Sequence, residues 1–201
     1  MSERPSQRAW QRERTERALR AAAVELFEAQ GYDAVTVDDI AERAGVTART
    51  FFRYFPNKED VLLDQSTASD PLVVAAILDA PAELGPVEAT AHAMGAVMRQ
   101  LPYDAAELSR GLRIALSTPT LRGRLTELMG ASESLLVNTL LQRQGGRRRD
   151  EAELAAAAIM AVQQRVLTQW AEQGAAGDLI EALERALDAL ARGFHARTSA
   201  A

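Results

Sequence analysis

TVDDIAERAGVTARTFFRYFPNK, residues 36–58, decides the fold, because its punctuation marks two short helices joined by a tight turn. Thr36 is a side-chain N-cap, and Asp39 follows at the spacing that lets each satisfy a free backbone N–H of the other. Asp38 and Asp39 also put negative charge where the helix dipole favours it. Ile40, Ala41 and Ala44 share one face, and Ala41 is small where a second helix has to cross closely. Gly45 ends the first helix, since the chain must pass through a left-handed conformation that glycine adopts without strain. Val46 follows as an apolar plug, and Thr47 caps the second helix. Phe51 and Phe55, four residues apart, point inward and leave Thr47, Arg49, Thr50 and Arg53 more exposed. Pro56 closes that helix, and Asn57 caps the next, with Glu59 and Asp60 in its first turn. Two helices joined in this way have the layout of a helix-turn-helix, whose second helix lies in the major groove of DNA.

Charge points the same way. The chain carries 23 basic and 28 acidic residues, a net charge of −5. Between Arg43 and Lys58, however, every charged residue is basic, so a locally positive field sits on a negative protein, as a phosphate backbone requires. Lys58 is the only lysine, and its place at a helix start offers an anion both a cation and free N–H groups.

GVTARTFFRYFPNKEDVL, preceded by TVDDIAERA, resembles the DNA-binding signature of TetR-family transcriptional regulators, over about Arg14 to Leu63. The resemblance implies a homodimeric, all-helical protein with an N-terminal DNA-binding domain and a larger C-terminal domain that binds a small effector. By it, Thr36, Thr47, Tyr54 and Lys58 fall on positions that commonly hold phosphates. Ala48, Arg49, Thr50 and Arg53 fall on positions that commonly approach base edges. Many members carry Tyr where this chain has Phe52, whose ring has no hydroxyl for a phosphate, so Tyr54 or Thr47 takes more of that anchoring.

Around this motif the chain reads as all-α. Leu19, Ala22, Ala23, Leu26 and Phe27 recur at helical spacing, and Gly31 followed by Tyr32 reads as a stop. The first twenty residues hold six arginines, Arg4 and Arg8 among them, either as a frayed polar tail or as an arm reaching phosphates or the minor groove. Beyond Leu63, breakers at residues 66–71, Pro81, Gly85–Pro86, Leu101–Pro102, Thr118–Pro119, Gly145–Gly146 and 174–177 separate a run of helices. Asp150 with Glu153 predicts a capping box for the helix reaching Gln173. The expected organisation is a flexible basic arm (1–13), a helix-turn-helix domain (14–63), an effector-binding and dimerisation domain (64–196) and a tail (197–201).

The last two helices carry an apolar pattern. Ile180, Leu183, Leu187, Leu190 and Phe194 form one stripe, while Ile159, Val162 and Val166 line one side of the preceding, alanine-rich helix. Such helices are buried within one subunit or, as the resemblance favours, form a four-helix dimer interface. Dimerisation would bring two recognition helices about 34–36 Å apart on a palindromic operator of double-stranded DNA. For the effector, Met94, Met98, Leu101, Tyr103 and Leu112 are candidate pocket residues, with Leu116, Met129, Leu136, Gln163 and Trp170. Methionine suits adaptable apolar pockets, although apolar helix positions serve packing as well. A hydrophobic or amphipathic small molecule follows as the expected ligand.

Composition excludes other classes. No run of 18 apolar residues suggests a membrane span, and MSERPSQRAWQRER lacks the apolar core of a signal peptide, so a cytoplasmic protein is expected. With no cysteine there is no disulfide or cysteine-based zinc site, and no cofactor is expected. His92 and His195 stand far apart, with no serine–carboxylate arrangement, HExxH or Gly-rich phosphate loop, so the reading is not an enzyme. Arg147, Arg148 and Arg149 read as an exposed charge run or an anion site. The expectation is thus a sequence-specific regulator, a repressor released by its effector; the alternative is an effector-independent dimeric DNA-binding protein, an activator or architectural factor.

Overall fold

The computed structural model describes residues 7–63, 70–100, 103–146 and 148–198, and every regular element among them is an α-helix. These are α1 (Gln7–Gln30), α2 (Val37–Arg43), α3 (Ala48–Tyr54), α4 (Asp60–Leu63), α5 (Asp70–Asp79), α6 (Pro86–Met98), α7 (Ala105–Ser117), α8 (Pro119–Arg143), α9 (Arg149–Glu172) and α10 (Leu179–Thr198). The chain divides into two compact units: Met1–Asp64 with Arg110–Arg124, and Gln65–Ser109 with Leu125–Ala201.

In the first unit α1 packs on α2 and α4, and α2 packs on α3. Leu19, Ala22, Ala23 and Phe27 of α1 are buried as the spacing predicts, Leu26 is half-buried, and Val24, outside the expected face, is buried too. Ile40, Ala41, Phe51 and Phe55 are buried in the same unit. Gly31 (φ +83°) and Gly45 (φ +71°) end α1 and α2 in the left-handed region. The segment 7–13, expected within a flexible arm, forms the first two turns of α1. Its Gln, Arg, Ala and Glu are good helix formers, and the Thr15 hydroxyl donates to the Gln11 carbonyl at 2.9 Å. Residues 1–6, Arg4 among them, lie outside the described residues.

In the second unit α6 is the central helix, packed against α5, α9 and α10. Its alanines and Gly95 let neighbours come close, and a Cβ at Gly95 would collide with the Glu184 carboxylate, which is paired with Arg99. Gly85 N–H donates to the Glu88 carboxylate at 2.8 Å and Pro86 opens α6 where no amide hydrogen is needed. At the end of α8, the Arg143 guanidinium donates to the carbonyls of Ile77, Ala80, Pro81 and Leu84, closing the α5–α6 loop.

Two helix starts differ in detail from expectation. α9 begins at Arg149, with Arg148 in the left-handed region (φ 60°), so Asp150 lies inside the first turn and serves the dipole rather than capping. Arg148 and Arg149 pair with Glu151 (2.7 Å) and Glu153 (3.2 Å), which weakens their case as an anion site; Arg147 lies outside the described residues. Asp178 caps α10, accepting from the amides of Ile180 (2.8 Å) and Glu181 (3.1 Å). α10 continues to Thr198, two residues into the expected tail.

Candidate nucleic-acid interface

The helix-turn-helix is held by the caps its sequence predicts. The Thr36 amide and hydroxyl donate to the Asp39 carboxylate at 2.8 and 2.6 Å, and the Asp39 amide donates back to Thr36 Oγ1 at 3.2 Å. These bonds, the hydroxyl first, hold the Asp39 carboxyl below its ordinary value of 3.8. Thr47 accepts from the Thr50 amide at 3.3 Å, and the two hydroxyls are hydrogen-bonded at 3.1 Å. Between the helices, the Val46 amide donates to Ala41 O at 2.9 Å, which fixes the turn.

Basic side chains in this unit fall into two groups. Arg20 pairs with Glu16 (2.9 Å) and lies over Phe55; Arg43 pairs with Glu25 (2.5 Å); Arg110 and Arg113 reach Glu28 at 3.3 and 3.8 Å. Arg49 and Arg53 are exposed on α3, and no carboxylate among the described residues pairs with either. Arg12, from α1, and Arg53 flank the Tyr54 ring at 6.0 and 5.1 Å from its centroid. Arg12, Arg14 and Arg17 of α1 are likewise exposed without a carboxylate partner among the described residues, so unneutralised positive charge lies on α3 and along the first half of α1, where a polyanion could release its counterions.

Predicted positions sort accordingly. Arg49 and Arg53 share the exposed ridge of α3, while Ala48 and Thr50 are half-buried, with the Thr50 hydroxyl tied to Thr47. Thr36, Thr47 and Tyr54 surround the same helix pair. Lys58 is placed differently. Its ammonium donates to the carbonyls of Tyr32 (2.8 Å) and Val35 (2.9 Å) and lies 3.9 Å from the centre of the Tyr32 ring. It fastens the α3–α4 loop to the loop before α2. Tyr32 in turn donates to Glu59 at 3.2 Å, and burial, then the Glu59 charge, raises its phenol well above the tyrosine range. Phe52, singled out in the sequence for its missing hydroxyl, is 55% exposed and shares a face with Arg49 and Arg53 by helical spacing. One residue escaped the sequence reading. Arg12 lay in the segment read as an arm, where nothing local marks its approach to Tyr54.

The residues expected to line a pocket fall in both units of the chain. Leu112 and Leu116 belong to the first unit; Met94, Met98, Tyr103, Met129, Leu136, Gln163 and Trp170 belong to the second; Leu101 lies outside the described residues. Met94 and Leu136 are buried in the second unit's core, with Met98 packed against it, and Tyr103 is 38% exposed. Trp170 is buried, and its indole N–H donates to Gly177 O at 3.2 Å, so it braces the 174–177 turn.

Of the residues expected at a dimer interface, Ile159 and Leu187 are buried in the core cluster that includes α6, and Leu183 is buried as well. Val162, Val166, Ile180 and Leu190 are half-buried, and Leu154 of α9 is 61% exposed.

Residues 19–64 match the family model of bacterial regulatory proteins of the TetR family, and residues 84–195 match that of the MftR C-terminal domain. The chain belongs to the TetR family. TcmR of Streptomyces glaucescens, an HTH-type transcriptional regulator, is 36% identical to this chain over 141 residues, 66% of this chain and 61% of TcmR. The chain therefore spans less than two thirds of that relative. MftR of Mycobacterium tuberculosis, a putative mycofactocin biosynthesis transcriptional regulator, is 24% identical over 86% of this chain and 87% of its own. The TetR-family fold is shared with the fatty acid degradation regulator FadR from Bacillus halodurans (23% identity, 95% and 97% coverage, TM-score 0.59). It is shared too with Bacillus subtilis FadR, solved in complex with stearoyl-CoA (22% identity, 88% and 98% coverage, TM-score 0.55). The described elements of this TetR-family chain are all helices, with the helix-turn-helix formed by α2 and α3. Among its described residues no helix is long and apolar enough to cross a membrane.

Proposed function

We propose that the chain is a homodimeric repressor that leaves a palindromic operator when a hydrophobic or amphipathic small molecule binds its larger unit. The observation that carries this reading is the pair of exposed, carboxylate-free arginines, Arg49 and Arg53, on a doubly capped recognition helix. Arg49 and Arg53 read base edges from the ridge of α3, with Ala48 and Thr50 beside the bases. Thr36, Thr47 and Tyr54 hold phosphates, joined by Lys58. Residues 14–63 form the DNA-reading domain, and 64–196 the effector-binding and dimerisation domain. The amphipathic class is supported by the methionines and leucines of α6 and α8 and by the acyl-CoA, a long apolar tail on a charged head, that B. subtilis FadR holds on the same fold. Release requires that the effector bind the DNA-free state more tightly than the DNA-bound state.

The dimer face we assign to α9 is the one carrying Leu154, Ala158, Ala161 and Arg165, which is turned away from Ile159 and the core. Small residues there allow a partner helix to approach closely.

Selection of bound fragments from genomic DNA, repeated with long-chain acyl-CoA, tests the reading. Enrichment of a palindrome and its loss on adding the acyl-CoA is the expected result. Enrichment that no amphipathic ligand disturbs would favour the effector-independent alternative, and no enrichment would remove both.

A further inference from the structure

Arg49, Phe52 and Arg53 stand at i, i+3 and i+4 on α3 and form one ridge, opposite the buried Phe51 and Phe55. Both arginines are exposed, and the Phe52 ring beside them is 55% exposed, touching Phe51 edge-on at 5.6 Å between centroids. The core therefore does not need this ring. A phenyl group has neither donor nor acceptor, so it can neither hold a phosphate nor read a base through a hydrogen bond. In the major groove, the apolar group open to such a side chain is the 5-methyl of thymine, which projects beside the acceptors that arginine reads.

We infer that Phe52 is a specificity-determining residue that packs against a thymine 5-methyl, between the base pairs approached by Arg49 and Arg53. The inference rests on the proposed DNA reading of α3 and deepens it. The recognition ridge combines two hydrogen-bonding readers with one methyl reader, so each half-site contains a thymine recognised by its methyl group alone. A 5-methylcytosine at that place presents the same methyl group from a different base pair.

The test uses the full chain and a duplex enriched by it from a random oligonucleotide library. At each thymine, four duplexes are compared by fluorescence anisotropy: thymine with adenine, deoxyuridine with adenine, 5-methylcytosine with guanine, and cytosine with guanine. At one position per half-site, removing the methyl should weaken binding about fourfold in both pair types, the worth of one buried methylene-sized group (about 0.8 kcal/mol). Phe52→Ala, which truncates an exposed ring, should abolish both differences. Arg49→Ala should bind more weakly yet keep them. If every deoxyuridine duplex binds like its thymine parent, or if the methyl dependence survives in Phe52→Ala, the inference is overturned while the DNA reading stands. If the library yields no enriched sequence, the DNA reading itself fails, and this inference with it.

Discussion

Lys58 and Arg49 are both cations of the helix-turn-helix unit, yet their surroundings give their substitutions opposite signatures. The Lys58 ammonium bridges two backbone carbonyls, Tyr32 and Val35, from a half-buried position. Lys58→Met keeps the aliphatic stem and deletes both charged hydrogen bonds. A loss of about 1.5 kcal/mol is expected, the low end for bonds to a charged group, because water can reach part of the site. For a chain of this length that lowers the melting temperature by roughly 3–6 °C. Arg49→Ala removes an exposed side chain that no described carboxylate holds, so stability should stay within about 0.5 kcal/mol of wild type. Its effect belongs to binding: about 1–3 kcal/mol of affinity, with relaxed preference at one base pair if it reads guanine. Calorimetry and a gel-shift series on both variants separate the roles. A Lys58→Met protein that melts like wild type would remove the clamp, and an Arg49→Ala protein with unchanged sequence preference would remove that reader.

At the scale of elements, the short helices α2 and α3 owe their ends to side chains within the motif, and this makes them sensitive to acid. The Asp39 carboxylate is stabilised in the fold by the Thr36 hydroxyl, then by the Thr36 amide, so its folded value lies below the ordinary 3.8. A carboxyl depressed by folding contributes stability that is present above the unfolded value and lost as pH falls through the folded one. The cap of α2 therefore weakens below about pH 4. In an NMR titration Asp39 should have its midpoint below 3.8, and Thr36→Ala should move the midpoint upward while destabilising the helix by about 1 kcal/mol. An Asp39 midpoint indifferent to Thr36 would refute the capping account. The same locality explains what could be read in advance. Thr36, Gly45, Thr47, Phe51 and Phe55 act on neighbours a few residues away, so spacing alone places them. Asp150 misled, because a capping pattern two residues into α9 looks identical in sequence to one at its start. α6 went unread as the central helix because a segment of alanine and glycine has almost no polar face to contrast with its buried one. The α10 stripe was legible as a stripe, but periodicity cannot say whether the face meets its own α6 and α9 or a second copy.

Across the whole molecule, that last ambiguity decides how the proposed regulator would read an operator. One seven-residue recognition helix spans few base pairs, so specificity for a genomic site calls for two of them in register. With Ile159, Leu183 and Leu187 consumed by the subunit core, the surface left on α9 is the face of Leu154, Ala158, Ala161 and Arg165. Leu154, 61% exposed, is flanked on this face by alanines that let a second copy of the helix come close and cover it. Leu154→Glu should therefore convert the protein from dimer to monomer at micromolar concentration, measured by sedimentation, with its helical circular dichroism unchanged. Affinity for a two-half-site duplex should fall at least tenfold, while affinity for a single half-site stays as in wild type. Ile159→Ala supplies the contrast: it empties a core position and should cost about 2–5 kcal/mol of stability without favouring the monomer. A Leu154→Glu protein that remains dimeric would move the interface off this face of α9, and a wild-type protein that sediments as a monomer would remove the paired-helix mechanism altogether.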